Sequence, residues 1–211
     1  YGHTIRVSNL VHHTSGLIDV LGVVDEKQFE NGWGNPEVIP LFAELNELKF
    51  EPGTKFDYSN SNYILMAEIV ERLSGQSFRE FVNERIFVPL GMSRARVDDD
   101  LKRIDDTDVA QSYAKRRGAY NRYERDDFLV GDGNVVVSVE DMAKWAQNLS
   151  THNVGSDAFH DLILSTEPLN SGDTNDYAFG IFIGEYEGKA AYTHGGSWLG
   201  FRCYFGHFPD D

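Results

Sequence analysis

The chain has 211 residues, of which 41% are apolar and 25% charged, ordinary globular usage that suffices for one sizeable core or two small ones. A formal net charge of -15 disfavours a nucleic-acid partner, because phosphate binders gather Lys and Arg to release counterions. Cys203 is the only cysteine, which excludes an intrachain disulfide and any Cys-x-x-Cys zinc or redox site, and no apolar run approaches the roughly 20 residues of a membrane helix.

In chain order, Ser8 is the expected N-cap of a short helix over Asn9 to His13, stopped by Gly16. His12 and His13 have no partner histidine at helical spacing and are expected to be structural; no metal site is expected. Asp25 to Asn35 is polar, contains Gly32 and Gly34, and is expected to be a surface loop. Asn35-Pro36 opens an irregular helix that must accommodate Pro40.

The next stretch, Phe50 to Tyr63, combines the turn chemistry of Pro52-Gly53 with a Tyr58-Ser59-Asn60 triplet just before an apolar-periodic run. Asn60 or Ser61 is the expected N-cap of a helix from Asn62 to Leu73, with Ile64, Leu65, Ala67, Ile69, Val70 and Leu73 as its stripe and Gly75 at C-prime. A phenol at such a loop acts as a base or proton relay where a neighbouring cation lowers its pKa from about 10, and the Asn60 carboxamide can bond a substrate amide. The plain alternative is that Tyr58 packs and Asn60 caps.

Ser77 and Glu80 form a capping box for a second helix, with Phe78, Phe81, Val82 and Ile86 inward until Pro89. Arg96 to Arg125 is charged and is expected to run over the surface, with Lys115-Arg116-Arg117 in a solvated turn. Gly131-Asp132-Gly133 is a turn, Asn134 to Val137 a short apolar run, and Ser138 with Asp141 opens a helix over Val139 to Leu149. Three antiparallel strands are expected over Tyr177 to Ile183, Ala190 to His194 and Phe201 to Phe208, the first two joined at Glu187-Gly188.

Four segments in order carry a resemblance: Val11-His12-His13-Thr14-Ser15-Gly16-Leu17, Pro52-Gly53-Thr54-Lys55-Phe56-Asp57-Tyr58-Ser59-Asn60, Pro89-Leu90-Gly91-Met92 and His194-Gly195-Gly196. The chain resembles the serine beta-lactamase and penicillin-binding-protein-like family, with its class C lactamases, esterases and D-peptidases. The resemblance implies an α+β fold of beta-lactamase/transpeptidase type, with a mainly helical part over 1–176 and an incomplete antiparallel sheet over 177–211. It also implies roles by position: Tyr58 as proton relay, His194 as the polar residue of the far wall, Asn60 as the substrate-amide contact, Gly195 and Gly196 as room for substrate, and the Ser197 amide as an oxyanion donor.

In that family a serine within S-x-x-K attacks the carbonyl, and the motif precedes the His13-Thr14-Ser15-Gly16 segment. The expectation is therefore of an internal fragment without its nucleophile. Ser112-Tyr113-Ala114-Lys115 matches S-x-x-K but follows the Tyr-x-Asn segment and lacks a helix, and Ser15 has no nearby base. The implied activity is acyl transfer from an ester, amide or beta-lactam without a cofactor, with a non-catalytic peptide-binding module as the alternative. Periplasmic or extracellular placement is the family's habit; any signal segment would lie upstream of Tyr1. Unpaired strand edges are expected to invite self-association.

Overall fold

The computed structural model describes residues 2–24, 32–100, 109–123 and 127–210. Helix α3, Asn60–Ser74, joins two apolar clusters among the described residues. Its Ile64 packs with Val20, Trp33, Val38 and Leu129, while Ala67 packs with Val82, Phe87, Met92, Val97 and Val130. The helix ends as the sequence predicts, with Gly75 in the left-handed region and its N–H bonded to the Glu71 carbonyl. Leu73 departs from the expected stripe and is 84% exposed, because the cluster residues of α3 stop at Ala67.

The start of α3 also differs. Neither Asn60 nor Ser61 is the cap; the N-cap is Ser59, whose side chain makes no capping bond. The first amides are satisfied from other parts of the chain instead. Ser59 N–H donates to His13 Nδ1 and Asn60 N–H to Asp19 Oδ2, at 3.1 Å each.

Helix α1 spans Val7–Val11, two residues earlier than Ser8 capping would give, because the Asn9 side chain accepts the Arg6 N–H at 2.9 Å and fixes Arg6 as the cap. It ends before His13, whose φ of 53° cannot continue a helix. A 3₁₀ turn, Val20–Gly22, leads toward α2, Asn35–Glu44, which carries Pro36 in its first turn and Pro40 inside. Of the expected surface loop over Asp25 to Asn35, residues 25–31 lie outside the described residues. Trp33 contradicts the expectation: it is 1% exposed, bridged to Asp127, and packed in the Ile64 cluster. Burying an indole outweighs the polarity of its neighbours.

Helix α4, Phe78–Val82, begins at the Ser77/Glu80 capping box and passes into a π-helical turn, Asn83–Phe87. Strand β1, Arg96–Val97, pairs antiparallel with β4, Val135–Val136. Strands β2, Tyr113–Arg116, and β3, Ala119–Arg122, form a hairpin turned by Arg117 and Gly118, both at positive φ. The charged stretch is thus partly an ordered hairpin; its residues 101–108 and 124–125 lie outside the described residues. Ser112 is buried and donates to the Leu199 carbonyl, and Lys115 stands on a strand, so the S-x-x-K match there has no helix to align its serine and lysine.

Helix α5, Val139–Thr151, is capped by Ser138, which accepts the Asp141 N–H. Asn134 has φ 62°, a conformation Asn tolerates better than other side chains. Helix α6 spans Asp157–Ile163.

The last sheet has order β5-β6-β7, with β5 Phe182–Tyr186, β6 Lys189–Trp198 and β7 Phe201–His207, all antiparallel. The first strand begins five residues later than expected, because a turn through Gly180 closes with Ala178 N–H on the Ile181 carbonyl and consumes the apolar run. The second strand is longer, so His194-Gly195-Gly196 lies inside β6 and not at its end. Strand β5 pairs β6 only as far as Thr193, so the described part of β5 leaves that edge of β6 uncovered from His194 to Trp198.

Candidate active site

The Tyr58 loop and β6 meet around a buried histidine. His13 is 0% exposed and stacks on Tyr58 at 4.1 Å and on Tyr63 at 5.1 Å between ring centroids, with Tyr177 edge-on at 4.6 Å. Its Nδ1 accepts from Ser59 N–H and from Asn62 Nδ2 at 2.9 Å, which places the ring proton on Nε2. Burial, followed by the nearby His194, pulls its pKa down to about 4, so the ring is neutral near pH 7. Ser15 belongs to the same scaffold: it is buried and its hydroxyl donates to Asn62 Oδ1 at 2.6 Å. No group of three or more His, Cys, Asp or Glu able to hold a metal occurs among the described residues.

The structure places Tyr58 and His194 6.0 Å apart between ring centroids, with Tyr177 joining them. The Tyr177 hydroxyl and His194 Nε2 are 3.2 Å apart, and Tyr177 is hydrogen-bonded to both Tyr58 and Tyr63. Tyr63 in turn donates to the Val11 carbonyl at 3.1 Å. Phe182 stacks on His194 at 6.1 Å and meets Tyr177 edge-on at 4.8 Å. This hydroxyl chain links the loop before α3 to the middle of β6.

Burial raises the Tyr58 pKa, with Asp132 and Asp19 adding to the effect and the Tyr177 hydrogen bond opposing it. Burial likewise raises Tyr63 and Tyr177 and lowers His194. Around neutral pH the four groups are three phenols and a neutral imidazole, suited to passing a proton along hydrogen bonds.

Asn60 is held at the start of α3 by Asp19. Its Nδ2 donates to Asp19 Oδ2 at 2.8 Å, the same oxygen that receives its backbone N–H. Asp19 is held in turn by the Leu21 N–H on Oδ1, so Asn60 is oriented on two atoms. On β6, a Cβ at Gly196 would fall 2.4 Å from Cys203 Sγ, whereas one at Gly195 would meet nothing closer than 4.0 Å. Ser197 is exposed on that strand, opposite Arg202 of β7.

Sequence reasoning missed His13, Tyr63, Tyr177 and Asp132. His13 and Tyr63 lay inside segments already singled out, but nothing local marks Tyr177, which enters the site only because the chain folds back across more than a hundred residues. Asp132 looked like an ordinary turn residue between two glycines.

Comparison with known proteins adds relatives to this geometry. The chain is 28% identical over 209 residues to a D-aminopeptidase of Brucella anthropi, covering 97% of this chain and 39% of that protein. It is 31% identical over 220 residues to a penicillin-binding protein of Bacillus subtilis, covering 95% of this chain and 47% of that one. An octameric penicillin-binding protein homologue from Pyrococcus abyssi superposes with a TM-score of 0.80 at 26% identity over 100% of this chain and 50% of that one. A D-stereospecific amidohydrolase from a Streptomyces species, 18% identical with a TM-score of 0.83 over 100% of this chain and 66% of that one, shows the shared fold. The chain thus spans less than half the length of these two sequence relatives. The fold is α+β of beta-lactamase and penicillin-binding-protein type, and the family model for beta-lactamase matches residues 1–211: the chain belongs to the beta-lactamase family.

Proposed function

We propose that this chain carries two walls of a serine acyl-transfer site acting on an ester, amide or beta-lactam carbonyl, with the nucleophile supplied by an S-x-x-K segment outside these 211 residues. The observation that carries the reading is the hydrogen-bonded link from Tyr58 through Tyr177 to His194, which connects the Tyr-x-Asn loop to the His-Gly-Gly strand. Relatives named D-aminopeptidase and penicillin-binding protein support a hydrolytic role.

In this reading the serine oxygen bonds to the carbonyl carbon, its proton passes through Tyr58, and the leaving group departs protonated; water then releases the acyl group. Asn60, its Nδ2 taken by Asp19, presents its carbonyl oxygen to a substrate N–H. The uncovered edge of β6 receives the substrate alongside Gly195 and Gly196, and the Ser197 amide contributes one oxyanion donor, a contact worth about 10²- to 10³-fold in rate. Neutral His194 holds the Tyr177 hydroxyl and so orients the relay. The division into a helical part over 1–176 and a sheet part from 177 follows, with the site at their junction. Tyr186 and Tyr204, exposed on edge strands β5 and β7, support self-association through these edges.

Hydrolysis of p-nitrophenyl butyrate by the protein extended upstream of Tyr1 tests the activity. Turnover is expected. Binding of ester or peptide without turnover would favour a non-catalytic module that keeps the family fold.

A further inference from the structure

The turn at Pro52-Gly53, five residues before Tyr58, is tied to two distant parts of the chain. Gly53 stands at φ 82°; its N–H donates to the Thr14 carbonyl and its carbonyl accepts the Asn170 N–H, at 2.8 Å each. A Cβ on residue 53 would fall 2.7 Å from Asn170 Oδ1, so a side chain there would displace the Asn170 carboxamide as well as strain the backbone. These ties enclose a cavity of about 200 Å³ between the start of α1, the turn and the segment from Glu167 to Asn170. It has room for several waters, yet is smaller than the roughly 300–1,000 Å³ pockets that take drug-sized ligands.

Two opposite charges line this cavity without pairing. Arg6 enters from the N-cap of α1 and Glu167 from the segment after α6, and neither is in an ion pair among the described residues. Glu167 Oε2 is out of solvent and has no hydrogen-bond partner. The other polar lining groups already serve the walls: Asn9 accepts the Arg6 N–H at 2.9 Å and donates to Thr14 Oγ1 at 3.1 Å, and Asn170 Nδ2 donates to the Pro52 carbonyl at 3.2 Å. A guanidinium, a carboxylate with one bare buried oxygen, and the Asn170 carboxamide oxygen are left to meet a ligand. A buried carboxylate oxygen without a donor is costly, and a simple anion or cation in this cavity would satisfy only one of the two charges.

We propose that this cavity binds a free amino acid with a small side chain, its carboxylate on the Arg6 guanidinium and its ammonium on Glu167 Oε2 and Asn170 Oδ1. The planar guanidinium matches a carboxylate, and the ammonium supplies the donor that Glu167 lacks. None of the residues assigned to acyl transfer lines the cavity, so the proposal stands apart from that reading. The bound amino acid would brace the turn that leads to Asp57, whose N–H donates to the His13 carbonyl at 3.0 Å, and so the loop that carries Tyr58.

The test is calorimetric titration of the full-length protein with glycine, N-acetylglycine and glycinamide at about pH 7, where the free amines are largely protonated. Glycine is expected to bind at least about tenfold more tightly than either derivative, because each lacks one of the two charges. Arg6→Gln and Glu167→Gln are each expected to weaken glycine binding by at least about tenfold. Neither side chain is fully buried, and circular dichroism checks that each variant folds. The absence of glycine binding, or equal affinities for glycine and either derivative, overturns the proposal whether or not the variants fold. Glycine affinity that survives in either folded variant overturns it as well.

Discussion

Replacing Tyr58 with Phe in the full-length protein is expected to lower kcat/KM for ester hydrolysis by about 10²- to 10⁴-fold, the range associated with a positioned acid-base group. The loss should fall on kcat, because the hydroxyl handles a proton that moves in the transition state. The ring itself remains, stacked on His13 at 4.1 Å, and Tyr58 is 39% exposed, so the packing survives the change. The hydrogen bond to Tyr177 disappears, which costs about 1 kcal/mol of stability. Steady-state kinetics and a thermal melt on the same preparation separate the two effects. A fall in activity of less than about threefold would make Tyr58 a packing residue and the hydroxyl chain incidental.

The second large effect is on stability, at Asp132. Below its ordinary value of 3.8 the carboxyl is neutral in both the folded and the unfolded protein and costs nothing. As pH rises, the unfolded chain ionises first while the folded carboxyl, raised to about 7, keeps its proton, so stability falls through this window and levels off above it. His13 works in the opposite direction: lowered from 6.5 to about 4, it contributes stability that is present above 6.5 and lost as pH falls toward 4. The two slopes oppose each other across nearly the same range. Asp132→Asn removes one of them, and is expected to be more stable than the unaltered protein by roughly 2–4 kcal/mol at pH 8, the difference vanishing near pH 4. Denaturant unfolding at several pH values measures it. A variant less stable at pH 8 would mean that the carboxylate is satisfied and not strained.

The parts of the fold legible in the sequence are those decided within a few residues. Gly75 ends α3, Ser77 with Glu80 starts α4, and Ser138 starts α5, because capping satisfies amides locally. Glu187 and Gly188 turn β5 into β6 for the same reason: both adopt positive φ. The burial of Trp33 is not legible locally, because polar neighbours dominate its segment while Ile64 and Leu129, far along the chain, complete the cluster that covers it. The beginning of β5 was misplaced because an apolar run does not distinguish a strand from the turn at Gly180 that brings Tyr177 inward. The site divides in the same way. Tyr58, Asn60 and His194 carry motif wording, whereas the groups that tune them, Tyr177, Asp19 and Asp132, are supplied by tertiary contact alone.

The most direct measurement is intact-mass and peptide mapping after treatment with a fluorophosphonate, on the 211-residue chain and on the protein extended upstream of Tyr1. The expected result is no adduct on the chain alone and one adduct on the extended protein, at the serine of an S-x-x-K segment preceding Tyr1. An adduct on Ser15, Ser59 or Ser112, or none on an extended, folded protein, would contradict the assignment of these residues to two walls of a serine acyl-transfer site.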